Sequence, residues 1–94
     1  MYLNKFAFTG DPATLEAGYR RVAAPFTDDI DLQLAVRHPD GLDVYDSCPT
    51  REDLVAFSTG APFRAALAEE GLPDPEITEL GEIVNTVLPE RVAG

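Results

Sequence analysis

The sequence predicts an α+β fold of order β-α-β-β-α-β, with a four-stranded antiparallel sheet and both helices on one face. Three observations carry this. Residues 2–9 and 28–37 alternate with period two, as strands do. A Pro-Asp-Gly turn at 39–41 joins the second alternating stretch to a third. Two stretches with helical spacing, 12–25 and 50–71, separate the first strand from the second and the third from the last. That order is the ferredoxin-like split βαβ.

In the first strand, Tyr2, Asn4, Phe6 and Phe8 point one way and Leu3, Lys5, Ala7 and Thr9 the other; Gly10 ends it. Asp11 suits a helix N-cap and Pro12 the first helical position, where a missing N–H has no partner to lose. Leu15, Tyr19, Val22 and Phe26 then recur at helical spacing, and Pro25 closes the helix. Gly18 costs this helix about 1 kcal/mol relative to Ala. Close packing or neutral drift both account for it.

The second strand is expected over 28–37. Ile30, Leu32, Leu34 and Val36 share the face assigned to the helices; Asp31, Gln33, Ala35 and Arg37 share the other. His38-Pro39-Asp40-Gly41 reads as a three-residue hairpin, a type I turn followed by glycine in the left-handed region. That turn sets His38 opposite Leu42, Arg37 opposite Asp43 and Val36 opposite Val44, with the third strand over 42–48.

Thr50 is placed to cap a helix in two segments, with Asp53 three residues on. Leu54, Val55 and Phe57 begin an apolar side, residues 58–61 break the run, and Pro62 suits a restart. Phe63, Ala66 and Leu67 continue the stripe, and Gly71 fits the position just past the helix end. After the stiff loop 72–75, a last strand is expected over 76–88, with a bulge at Gly81 where the alternation changes phase. Pro89 ends it, and 90–94 form a loose tail.

Ninety-four residues form one domain, 1–94. A chain this short buries only about 60–65% of its unfolded surface, which makes dimerisation attractive. The sheet face away from the helices points the same way. It carries Leu3, Ala7, Ala35 and Tyr45 among charged residues, too mixed for a solvated surface and too polar for a core. Packing against a second copy resolves this, so a homodimer is expected.

Seventeen acidic residues against seven basic ones give a formal net charge of −10. Such a surface repels phosphate backbones and anionic lipid, so neither nucleic acid nor membrane is an expected partner. There is no run of 18 apolar residues, and MYLNKFAFTGD, which alternates and carries Asn4 and Lys5, lacks the pattern of a signal peptide. One cysteine and one histidine provide neither an internal disulfide nor a zinc site, and a reducing, cytoplasmic setting is the expectation.

Asn4, Asp46 and Cys48 are the polar residues expected on the helix-facing side of the sheet. Polar groups on such a face need partners or line a cavity. The candidate pocket is therefore Asn4, Asp46 and Cys48, walled by Phe6, Phe8, Leu32 and Phe57. A carboxylate there could act as a base. Against this, all three polar residues lie near strand ends, where a wet rim would solvate them. Cys48 precedes a helix N-terminus, which lowers a thiol pKa, yet no histidine neighbours it in sequence, so a small half-buried residue is the simpler role. His38 reads as an exposed turn histidine and Arg37–Asp43 as a cross-strand ion pair. Asp28, Asp29 and Asp31 lack the glycine and longer ligand series of a calcium loop and read as a solvated strand start.

Glu52-Asp53-Leu54-Val55-Ala56-Phe57, followed by Ala61-Pro62-Phe63-Arg64-Ala65-Ala66-Leu67, resembles the two-part helix of the dimeric α+β barrel superfamily. The resemblance is to its antibiotic-biosynthesis-monooxygenase-like branch, and in element order it covers nearly all of the chain. It implies a homodimer packed sheet to sheet and a pocket between sheet and helices. It also implies a cofactor-independent, monooxygenase-like activity on an aromatic or polyketide-like small molecule, or a non-catalytic binding module of the same fold. Haem-degrading relatives use an Asn on the first strand, a Trp ending the third and a His in the two-part helix. Asn4 matches the first; Cys48 and Phe57 fall where the other two stand, and the chain has no Trp. Without an imidazole in that helix there is no axial haem ligand, and no cofactor is expected.

Overall fold

The computed structural model describes residues 1–29 and 31–87, and side chains for all of these but 27–29. Its elements are β1 (Tyr2–Thr9), α1 (Pro12–Ala23), a 3₁₀ helix (Ala24–Asp29), β2 (Leu32–His38), β3 (Gly41–Cys48), α2 (Arg51–Thr59), α3 (Ala61–Glu69) and β4 (Glu76–Glu82). The strands form one antiparallel sheet in the order β2-β3-β1-β4. The expectations for Ile30, Leu88, Pro89 and 90–94, and for the side chains of Asp28 and Asp29, lie outside the described residues.

Local chemistry sets most of the boundaries. The Asp11 carboxylate accepts from the Thr14 N–H at 2.9 Å and caps α1, with Pro12 at its first position. The Thr50 hydroxyl accepts from the Asp53 N–H at 3.1 Å and caps α2. Gly60, extended at φ −70° and ψ 148°, ends α2 and precedes α3, which restarts with Pro62 in its first turn. At the end of α3 the Leu72 N–H reaches Leu67 O (3.0 Å) and the Gly71 N–H reaches Ala68 O (3.1 Å). These two bonds make a Schellman motif, with Gly71 at φ +69°.

That motif turns Leu72 back onto α1 and settles the role of Gly18. A Cβ at Gly18 would come within 2.9 Å of Leu72 Cδ2, so glycine here permits close packing. Phe6, Phe8, Leu15, Val22, Leu42, Val44, Phe63 and Leu67 form the core between the sheet and the helices. Each such side chain contributes about 1.5–3 kcal/mol by leaving water.

Three expectations need correction. The second strand begins at Leu32 rather than Asp28, because residues 24–29 are spent on the 3₁₀ helix. The last strand stops at Glu82 rather than running to 88: Glu82 pairs with Tyr2, where β1 begins, and further on there is no β1 residue to pair with. Its bulge lies at Leu80, between the pairs Leu3–Gly81 and Asn4–Glu79.

The third correction has the largest consequence. The hairpin loop is two residues, Pro39 and Asp40, and Gly41 belongs to the ladder opposite His38. The register is therefore one residue away from that expected: Arg37 faces Leu42, Val36 faces Asp43 and Ala35 faces Val44. Glycine at 41 is required by close approach, since a Cβ there would lie 2.0 Å from Phe8 O. A one-residue slip turns every side chain of a strand over. Gln33, Ala35 and Arg37 thus share the helix side with Val44 and Asp46. Leu32, Leu34 and Val36 lie on the other face, where Leu34 is 54% and Val36 48% exposed. The expected Arg37–Asp43 pair is replaced by Arg37–Glu16 across to α1 (3.3 Å) and by His38–Asp43 (3.3 Å).

Candidate functional site

Under the helices the sheet carries one polar patch among apolar side chains. Asp46, on β3, is buried at 3% exposure. Gln33 stands opposite it on β2 and donates from Nε2 to Asp46 Oδ1 at 2.9 Å. Tyr19, one turn after Leu15 on α1, donates its hydroxyl to Gln33 Oε1. Three elements thus contribute one residue each to a short chain of hydrogen bonds. The tyrosine fixes the amide with its NH₂ turned to the carboxylate.

Burial pushes the Asp46 carboxyl up from 3.8 to about 6, even though the Gln33 hydrogen bond works in the opposite direction. Tyr19 is pushed up to about 12, first by burial and then by the negative charge of Asp46, with Arg20 acting against both. At neutral pH the pair is therefore an ionised, poorly solvated carboxylate and a protonated phenol. Such a carboxylate is a stronger proton acceptor than one in water.

Asp46, Gln33 and Tyr19 line a cavity whose other walls include Phe6, Phe8, Val44, Phe26, Phe57 and Phe63. About 350 Å³ lies between these atoms out to the mouth, but the interior has room for about one water. Among the described residues no Lys or Arg lines it. Among the described residues no group of three or more His, Cys, Asp or Glu is placed to hold a metal ion.

Of the expected pocket residues, Phe6, Phe8, Asp46 and Phe57 lie together around this cavity. Cys48 is buried but faces a separate, open groove bounded by Pro49, Asp53, Ala56, Phe57, Gly60 and Pro62. Asn4 stands beside Asp46 on β1 at 2% exposure, its Oδ1 without a hydrogen-bond partner, and it lines neither hollow. Leu32 is carried to the opposite face by the register of β2 and is no part of the pocket. The expectation that Asp46 sits at a wet rim is also corrected: it is 3% exposed, with Gln33 and, through it, Tyr19 of α1 packed over it.

Tyr19 and Gln33 are absent from the residues expected at the site. Tyr19 sits in the apolar stripe of α1, and its hydroxyl was the one polar tip in that stripe. Gln33 gives no such signal, because the expected register turned it away from the helices.

No protein-family model matches the chain, and no curated protein sequence matches it. Two solved structures do resemble it. A candidate antibiotic biosynthesis monooxygenase from Chloroflexus aurantiacus J-10-fl superposes with a TM-score of 0.64 at 12% identity, over 94% of this chain and 98% of that one. A candidate antibiotic biosynthesis monooxygenase from Deinococcus radiodurans superposes with a TM-score of 0.60 at 15% identity, over 93% and 99%. The chain has the ferredoxin-like α+β fold of these two proteins. At such identities the likeness covers the path of the backbone and assigns no chemistry.

Proposed function

We propose that the chain takes a small, uncharged, hydroxylated aromatic or polyketide-like molecule against Asp46 and acts as a cofactor-independent, monooxygenase-like enzyme. The observation that carries this reading is a buried carboxylate, oriented by Gln33 and Tyr19, at the end of a cavity otherwise walled by aromatic and aliphatic side chains. Asp46 takes the proton of a phenol or of an activated CH₂, and the resulting anion is electron-rich enough to reduce dioxygen. For an activated CH₂ the balance is CH₂ + O₂ → C=O + H₂O. The carbon is oxidised, one oxygen atom enters the product and the other leaves as water with both hydrogens.

The narrow interior favours a second reading, a non-catalytic binding module that holds the same ligand class. Oxygen consumption with 1,8-dihydroxyanthrone separates the two. The enzyme reading expects O₂ uptake and a quinone product, both lost in Asp46→Asn. Binding without uptake leaves the module reading, and absence of both defeats each of them.

The working unit of this reading is a homodimer in a reducing, cytoplasmic setting. The sheet face away from the helices supports the dimer. It presents Leu34 at 54% and Val36 at 48% exposure, both on the edge strand β2. Side chains of this type exposed together mark an interaction surface.

A further inference from the structure

The cavity over Asp46 and the open groove beside Cys48 share a wall. Both are lined by Phe26, Phe57 and Phe63. The rings pack on one another, with centroids 4.8 Å apart for Phe57–Phe63, 5.4 Å for Phe26–Phe57 and 6.3 Å for Phe26–Phe63. On one side of this partition the groove opens to solvent; on the other is the carboxylate.

The three rings are not held equally. Phe63 is 7% exposed and also rests on Phe6, 5.6 Å away at the centre of the core. Among the described residues, Phe57 has no ring contact besides the other two members of the partition. It stands in the last turn of α2, a nine-residue helix that buries only Leu54 and Ser58. Three residues on, the helix breaks at Gly60, whose N–H returns to Phe57 O. A short helix with few buried side chains, ending at an extended glycine, is the kind of segment that opens locally at low cost.

We propose that Phe57 is the gate of the Asp46 cavity: its ring swings away, and the ring of a planar, uncharged aromatic ligand takes its place against Phe63. The proposal rests on the reading of that cavity as the binding site. With room for about one water inside, a ring can enter only where a ring leaves. Exchanging one ring for another keeps the buried aromatic area, about 150–250 Å² per side chain, nearly constant. The ligand class follows from the linings. Among the described residues neither hollow has a Lys or Arg, while Asp46 lines one and Asp53 the other, so an anion is repelled along the route. A saturated chain could not stack on Phe63 in the place of the ring it displaces.

Stopped-flow fluorescence with 2-naphthol as the probe tests this on the full chain. Phe57→Ala is expected to associate about tenfold faster than the parent, and Phe57→Leu to lie between them, because gating limits the rate. Asp46→Asn is expected to weaken equilibrium binding while associating at the parental rate. Should Phe57→Ala fail to fold, Phe57→Leu, which keeps an apolar side chain, carries the measurement. Parental association rates in folded Phe57 variants, with Asp46→Asn still weakened, overturn the gate and leave the site standing. Undiminished binding by Asp46→Asn, or no binding by any of the proteins, overturns the site and the gate with it.

Discussion

Gln33 lies directly across the β2–β3 ladder from Asp46, and its amide donates to Asp46 Oδ1 at 2.9 Å. The pairing follows from the length of the hairpin loop that lies between the two residues in sequence. With Pro39 and Asp40 as the whole loop, Gln33 enters the helix-covered side; one more residue in the loop would place it on the other face.

The carboxylate is held at a cost. Its folded pKa of about 6 lies above the ordinary 3.8, so between these values the folded chain binds a proton that the unfolded chain has released. Stability therefore falls as pH rises from about 4 to about 6, and at neutral pH the ionised group costs about 3 kcal/mol. Asp46→Asn is expected to raise unfolding free energy at neutral pH by up to that amount and to change it by less than about 1 kcal/mol near pH 4. Urea unfolding at the two pH values measures this, and an equal effect at both would contradict it.

The Gln33 amide lowers the Asp46 pKa by hydrogen bonding to the ionised form. Gln33→Leu is expected to raise it further. Tyr19→Phe, which frees the amide to turn, should shift it in the same direction by less. A ¹³C titration of the Asp46 carboxyl reads both shifts; an unchanged midpoint in Gln33→Leu would separate the two residues.

Two glycines should respond very differently to alanine. At Gly41 the new Cβ would lie 2.0 Å from Phe8 O, so the β1–β3 ladder must part. A loss of more than about 3 kcal/mol is expected there. At Gly71 the backbone is left-handed at φ +69° but no atom lies within 4 Å, so the loss should be about 1 kcal/mol. Denaturant midpoints rank the two.

Leu34→Lys tests the register and the assembly together. Leu34 is 54% exposed on the helix-free face, so the substitution should leave the monomer fold and its circular dichroism intact. Were Leu34 in the core, a lysine there would unfold the chain. In sedimentation, the parent is expected as a dimer and Leu34→Lys as a monomer.

Most of the fold was legible because it is written locally. Asp11-Pro12, Thr50 with Asp53, the break at Gly60 and the glycine at 71 each act within a few residues of themselves, and each is where the sequence puts it. The alternation of Phe6 and Phe8, and of Leu42 and Val44, likewise marks the buried side of β1 and β3 without reference to any other element.

The sequence by itself determined that a strand runs through residues 32–37 and that Asp46 stands on the covered side of its neighbour. Alternation has no sign, however: Leu32, Leu34 and Val36 can face the core or face away, and hydrophobicity alone argues for the core. Only the tertiary structure decided otherwise. It closes the hairpin with two residues, because Gly41 must lie flat against Phe8 O in the β1 ladder, and that contact joins strands distant in sequence. The same closure brings Gln33 under Tyr19 and leaves Leu34 and Val36 in the open. The site and the exposed face therefore arise from one register, which no short stretch of the chain encodes.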